Sequence, residues 1–362
     1  MRSTDDRIVM TLDAGGTNFV FSALQGGKEI VSPLRLSADA DSLNSCLETL
    51  KQGFVSIKNS LPDNPVAISF AFPGPADYPA GIIGDLTNIP SFRGGVALGP
   101  YLEEIFKIPV FINNDGSLFA YGEALTGILP EINDKLKLAG SIKRYKNLLG
   151  ITLGTGFGCG VVLDGKLLLG DNAAGGDIWC FKNKKYPQFV AEESVSIRAV
   201  KRVYKECSGD KTELTPKDIF DIAEGIMPGN RDAAIKSFEE LGESAGDAIA
   251  AAITIVDGII VVGGGLSGAS KYIIPAIVNE LNSSSGLMTG ERFGRLQMKV
   301  YNLDDNQQFE EFIKNKSSKV TIPGTNRTVD YDPFKSIGIM TSRQGTNYST
   351  AMGAYLYALN QR

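Results

Sequence analysis

The chain contains no histidine in 362 residues, and this absence removes a Ser-His-Asp triad, a histidine general base and histidine metal ligation together. Cysteine is scarce. The four that occur, Cys46, Cys159, Cys180 and Cys207, lie far apart with no Cys-x-x-Cys pair, so neither a disulfide framework nor a zinc ribbon is indicated. Reduced thiols in a cytoplasm are the expectation. No apolar run approaches membrane-spanning length, and residues 1–7 are too charged for a signal peptide. A basic excess is lacking too: 36 Lys and Arg against 41 Asp and Glu give a net charge of −5, which argues against nonspecific nucleic-acid binding.

What is present is ordinary globular material, 43% hydrophobic and 21% charged, in a length that suits two domains with a core each. Three glycine-bearing loops, each after an apolar stretch, stand out. In the first, an apolar stretch ending at Leu12 meets Asp13-Ala-Gly15-Gly16-Thr17-Asn18, which reads as a buried strand turning into a loop. Gly15 and Gly16 would let the backbone approach an anion with no Cβ in the way, while Thr17 and Asn18 add donors. Asp13 would then organise a magnesium ion, which prefers carboxylate oxygen and retains waters. A β-hairpin turn with Phe19 opening the return strand is the competing account.

The second run, Gly154-Thr155-Gly156 after Leu153, repeats the pattern, and a strand at 161–163 and a turn at 164–166 follow it. Two strand–loop–strand units in separate halves suggest a duplicated domain gripping one phosphate chain. A third, Gly263-Gly264-Gly265, ends another apolar strand and would lie under a base or ribose, or form a tight turn only.

These runs, together with Pro73-Gly74-Pro75, Asn88 and Asn113-Asn114-Asp115, resemble the actin/hexokinase/Hsp70 ATPase superfamily and, more closely, its ROK branch of sugar kinases. The resemblance implies an α/β fold of two duplicated actin-like ATPase (ribonuclease H-like) domains about an interdomain cleft. The expected division is 1–116 with about 347–362 as a smaller domain, and 117–346 as a larger one with an insertion at about 302–334. It implies ATP and Mg2+ as cofactors, a sugar acceptor of the hexose or amino-sugar class, and a homodimer. Residue by residue, Asp115 matches the base that takes the proton from the attacking sugar hydroxyl. Asn88, Asn114 and the loop at Gly74 match the sugar site, and Gly263–Gly265 match the adenosine side. Without the resemblance, Asp115 at a helix start is a helix cap and Asn88 a turn residue.

Beyond the second loop the sequence departs from the family pattern. Asp177 stands for a glutamate that touches the sugar, Trp179 for a glycine and Cys180 for a histidine. The following loop, 181–189, carries no cysteine, so no structural zinc is expected. Glu192 and Ser196 match the family's Glu and Ser beyond that loop, and the resemblance places Glu192 among the sugar-binding residues. A carboxylate one methylene shorter predicts a reshaped sugar pocket, with Trp179 either stacking on a sugar face or filling the space of the missing metal. The segment 128–145, with Lys135, Lys137, Lys143 and Arg144, reads as a basic solvated face. No winged-helix segment is expected before the first strand, which separates the chain from the ROK repressors. The expected activity is ATP-dependent phosphorylation of a sugar hydroxyl. A noncatalytic sugar-binding relative is the alternative, and an ATPase acting on a protein partner the third reading.

Overall fold

The structure is a computed structural model that describes residues 5–15, 17–38, 42–86, 89 and 91–361. Its contacts divide the chain into two compact units. The first comprises 1–127, 166–175 and 344–362, the second 128–165 and 176–343.

The first unit opens with β1 (Val9–Ala14) and β2 (Asn18–Gln25), an antiparallel pair that β3 (Lys28–Glu29) and β4 (Leu34–Ser37) extend. β3 and β4 stay separate because Pro33, just before β4, has no N–H to give to a ladder. Helix α1 (Leu43–Ser60) starts where the Ser42 side chain accepts the Ser45 N–H. Its Cys46, Leu50, Phe54 and Ile57 recur at helical spacing and are buried. Then come β5 (Ala67–Ala71), the short pair β6 (Ala76–Asp77) and β7 (Ile82–Ile83), helix α2 (Leu98–Phe106), β8 (Val110–Asn113) and helix α3 (Asp115–Leu125). The sheet order is β3-β2-β1-β5-β8, with β1, β5 and β8 parallel. On one face, Phe21, Phe54 and Phe70 form the centre of the core, Phe21 meeting Phe54 edge-on at 5.1 Å. On the other lies the last helix, α10 (Thr346–Asn360), against Val9, Leu24 and Ala67. The strand β11 (Lys166–Leu167) falls in this unit's 166–175 segment.

The second unit repeats the plan. Helix α4 (Ile128–Leu138) precedes β9 (Leu148–Leu153) and β10 (Phe157–Leu163), again antiparallel. Helices α5 (Ile197–Ser208), α6 (Pro216–Ala223) and α7 (Arg231–Val256) lead to β12 (Ile259–Gly263) and α8 (Ser270–Leu281). Thr215 and Asp218 cap α6 reciprocally, with Pro216 in its first turn. Two hairpins, β13 (Ser284–Gly286) with β14 (Arg292–Gly294) and β16 (Ser318–Thr321) with β17 (Thr328–Tyr331), flank β15 (Lys299–Asn302) and α9 (Asn306–Ile313), and β18 (Ser336–Thr341) closes the sheet. Its order, β10-β9-β12-β18-β15, is parallel from β9 onward. The duplication is explicit: β1, β2 and β5 in one sheet have the relations of β9, β10 and β12 in the other.

Three differences from the sequence reading have physical reasons. The first unit runs past residue 116 because α3 packs on α10 through paired glycines, Gly122 and Gly353. The segment at 128–145 is not simply a solvated face. Ile128, Leu129, Ile132 and Leu136 bury one side of α4, and Lys143 pairs with Asp332 at 3.3 Å. The region around 302 belongs partly to the core, since Leu303 is buried against Gly338 and Phe312 stacks on Tyr145 at 5.7 Å.

Candidate functional site

In the first unit the sheet register lines up the site. Asp13 pairs across with Ala71, and Ala71 with Asn113, so the carboxyl ends of three adjacent parallel strands emerge together. That edge is where open α/β sheets hold ligands. From β1 comes Asp13, exposed, and then Gly15 and Thr17 in a tight turn. Gly15 N–H donates to the Asn18 carbonyl at 3.0 Å, and a Cβ on Gly15 would lie 2.9 Å from that oxygen. The hairpin account of this loop is therefore correct as geometry, and it leaves the turn exposed as the anion-binding account requires. Gly16 lies outside the described residues.

From β5 comes the loop through Gly74. Gly74 faces the Tyr78 hydroxyl, 2.9 Å from where its Cβ would be, and that hydroxyl donates to the Phe72 carbonyl at 3.1 Å. The Gly74–Pro75 peptide is cis. Asn88, expected nearby, lies outside the described residues.

From β8 come Asn114 and Asp115. The helix cap is Asn114, whose Oδ1 accepts the N–H groups of Gly116 at 2.8 Å and Ser117 at 3.4 Å. Asp115 is the first helical residue, and its Oδ1 accepts the Gly116 N–H at 2.8 Å. Capping thus falls to the neighbour, and the Asp115 carboxylate is exposed. Its pKa is nonetheless raised, chiefly by the protein packed about it, with a smaller push from Asp13. The Gly116 N–H and its own backbone N–H pull the other way. Residue-level exposure and dense surroundings coexist at Asp115, and the surroundings disfavour its charged form. Two carboxylates that repel one another are suited to a divalent cation, and both offer the oxygen ligands magnesium takes.

Helix α3 is fixed from behind. Glu123, fully buried, accepts the Ser349 hydroxyl of α10 at 2.6 Å. Gly122 and Gly353 let the two backbones touch. No motif in the sequence reading included these four residues, although small residues recurring on α10 are a packing signal.

In the second unit the loops at Gly154–Gly156 and Gly263–Gly265 leave neighbouring parallel strands, Gly263 pairing with Thr152. They converge: a Cβ on Gly154 would have only the Gly265 N–H, at 4.0 Å, near it. Gly264, at φ +89°, lies so close over Leu153 that a Cβ there would be 2.3 Å from its carbonyl oxygen. Thr155 is exposed at the tip of its turn. Two glycine turns and the start of the 3-10 turn Gly265–Ala269 thus present backbone donors side by side, the arrangement that suits phosphate oxygens.

Asp177 follows Gly176, which at φ +99° backs on to the Cys159 carbonyl. Its carboxylate is exposed, and its pKa is raised by the surrounding protein and lowered by the Trp179 indole. Trp179 is 42% exposed, so it does not fill a core left by a metal. The 181–190 loop closes through protein groups. Lys182 and Val190 form a bridge, and buried Asn183 accepts the Lys185 and Tyr186 N–H groups at 3.0 Å and donates to Val190 O and Ser194 Oγ. Lys184 pairs with Glu243 and Glu280, and Lys185 with Glu240. Among the described residues no group of three acidic or thiol side chains could hold a metal ion. Glu192, expected at the sugar, places Oε2 3.0 Å from the Phe157 N–H at the end of the second glycine turn. No described helix is long and apolar enough to cross a membrane.

Comparison with known proteins adds four findings. A family model described as the ROK family matches residues 9–292. A solved glucokinase from Parabacteroides distasonis ATCC 8503 is 66% identical, with 100% of each chain covered and a TM-score of 0.93. An N-acetyl-D-glucosamine kinase from Vibrio cholerae serotype O1 is 28% identical over 316 residues, 78% of this chain and 97% of that one. An N-acetylgalactosamine kinase from Shewanella sp. (strain ANA-3) is 26% identical over 280 residues, covering 72% and 83%.

Proposed function

Because the chain belongs to the ROK family, we propose that it is an ATP-dependent sugar kinase that phosphorylates a hydroxyl of a hexose or N-acetylhexosamine. The observation that carries the reading is the exposed Asp115 carboxylate at the start of α3, in line with Asp13 across the sheet. The kinase names of its relatives, glucokinase and N-acetylhexosamine kinases, support the sugar class, and a noncatalytic sugar binder finds less support among them.

Asp115 receives the proton of the attacking hydroxyl. Phosphoryl transfer passes through a loose transition state, so the proton leaves late and a carboxylate suffices as base. The packing that raises its pKa strengthens it as an acceptor. Asn114 and the Gly74 loop orient the sugar, and Asp177 contributes a shorter carboxylate to that pocket. The turns at Gly15–Thr17 and Gly154–Gly156 cradle the phosphates with N–H groups, and Gly263–Gly265 borders the adenosine. Asp13 would hold the magnesium ion through its waters, and when bound that ion supplies charge neutralisation at the transferring phosphate.

A coupled ADP-release assay with magnesium-ATP against glucose, N-acetylglucosamine, N-acetylgalactosamine and fructose tests the proposal. Turnover on one of these that falls by about 10²-fold or more in Asp115→Asn is expected from loss of a general base. A variant turning over near the wild-type rate would remove Asp115 from that role.

A further inference from the structure

Glu192 is placed where it controls the shape of the second glycine turn. Its Oε2 accepts the Phe157 N–H at 3.0 Å, and a Cβ on Gly156 would lie 2.8 Å from the same oxygen. The opposite end of the turn is held from the same segment, since Ile197 N–H donates to the Gly154 carbonyl at 2.9 Å. Between these two ties the turn closes on itself, Gly154 N–H to Gly156 O at 3.1 Å.

The segment that makes both ties is itself anchored. Ala191 and Val195 are buried in the core of the second unit, and the Val195 N–H bonds to the Glu192 carbonyl at 3.0 Å. A turn of two glycines and a threonine has many backbone conformations open to it. Clamping both ends to a core-anchored segment selects one. A carboxylate beside a phosphate site would ordinarily repel the ligand, but the other Glu192 oxygen meets Arg198 Nη2 at 3.3 Å, and Arg198 also pairs with Glu193 at 2.8 Å. The negative charge is offset on the side away from the turn.

We propose that Glu192 is a positioning residue that braces the Gly154–Gly156 turn for the nucleotide phosphates, through its bond to the Phe157 N–H. The proposal rests on the reading of that turn as a phosphate cradle. It assigns Glu192 a nucleotide-side role that differs from sugar recognition, and the two are separable by which ligand weakens.

Binding of magnesium-ADP without sugar is measured by isothermal titration calorimetry in the full chain for wild type, Glu192→Ala, Glu192→Gln and Gly154→Val. Loss of a hydrogen bond to a charged acceptor is expected to weaken binding about tenfold in Glu192→Ala. Glu192→Gln should stay within about twofold, because an amide oxygen accepts the same N–H. A Cβ on Gly154 would meet no protein atom closer than Gly265 N at 4.0 Å, so the backbone accepts a side chain there and Gly154→Val should fold and block the phosphates directly. Wild-type affinity in Glu192→Ala with binding lost in Gly154→Val overturns the brace alone. Wild-type affinity in all variants overturns the cradle and the brace together, and a Glu192→Gln as weak as Glu192→Ala overturns the hydrogen-bond account. Amide exchange in the wild-type protein is an independent check that needs no substitution. The Phe157 N–H is expected to exchange at least about tenfold more slowly than that of exposed Thr155, and equal rates overturn the brace.

Discussion

Gly353 is the position whose substitution reports most directly on how the fold holds Asp115. A Cβ on Gly353 of α10 would stand 1.9 Å from the Leu118 carbonyl oxygen of α3, and a Cβ on Gly122 of α3 would stand 1.9 Å from the Ser349 oxygen of α10. Ordinary contact begins at 3.4 Å, so Gly353→Ala requires about 1.5 Å of separation, 3.4 less 1.9. The obstructing atom is backbone and cannot rotate aside. Overpacking of this kind costs about 1–3 kcal/mol, offset in part by the ~1 kcal/mol advantage of alanine over glycine within a helix. Because the clash is with backbone and deep, the cost falls at the upper end of that range, and a net loss of about 2 kcal/mol lowers Tm by roughly 4–8 °C for a domain of 150–250 residues. The catalytic effect should be larger than the stability effect suggests. Asp115 opens the displaced helix, and a misplacement of about 1 Å can cost on the order of 10² in rate. Steady-state kinetics should therefore show kcat down about 10–100-fold with the KM for ATP little changed, because Asp115 acts on the attacking hydroxyl in the transition state. A Gly353→Ala protein that melts and turns over like the wild type would refute the reasoning.

Four further predictions follow from the structure. Asp115 must be ionised to accept a proton and its pKa is raised by its surroundings, so kcat/KM should fall as pH drops through that raised value, at a higher pH than for a free carboxyl group; an acid limb in the ordinary carboxylate range would contradict this. The same shift has a stability sign: the folded protein binds this proton more tightly than the unfolded chain, so the group costs stability above its folded pKa. Asp115→Asn removes that cost and should melt no lower than wild type at pH 8, and a lower Tm would contradict it. Exhaustive chelation with EDTA should leave the wild-type Tm unchanged, because Asn183 and the two lysines close the 181–190 loop, whereas a drop of several degrees would reveal a structural metal. Lys184→Met with Lys185→Met should cost about 1 kcal/mol at low salt and less in 1 M salt, and a salt-independent difference would mean that the lysines act by packing instead.

The parts of this molecule that were legible in its sequence are those whose constraint is local. Gly15 is needed because the Asn18 carbonyl lies 2.9 Å from where a Cβ would be, a demand made by residues three positions away, and such demands leave glycine runs that can be read. The duplicated sheets follow, since an apolar strand, a glycine turn and a second apolar strand specify an antiparallel pair wherever they occur. Helix α1 carries a signal in its spacing, whereas α2 lacks one at its start, where Ala97 makes no side-chain cap. Amphipathic α5 carries a readable signal in Ala199, Val200, Val203 and Tyr204.

The site divides the same way. That Asp115 opens a helix was visible, but whether it or Asn114 capped that helix depended on which carbonyl side chain turned inward, and adjacent Asn and Asp have equal claims to that role. The choice matters chemically, because an aspartate spent on the cap has less freedom to take a proton, and the structure assigns the cap to Asn114. Glu192 is the opposite case. Its partner, the Phe157 N–H, lies 35 positions away, and no spacing rule links a 3-10 turn to a glycine turn at that distance. Only the folded second unit, with Ala191 and Val195 buried beneath the segment, brings the carboxylate there. A residue chosen from a motif is thus tied to its neighbours in sequence, but its chemical duty is set by whatever backbone group the folded core delivers to it, and at Glu192 that group belongs to the phosphate turn.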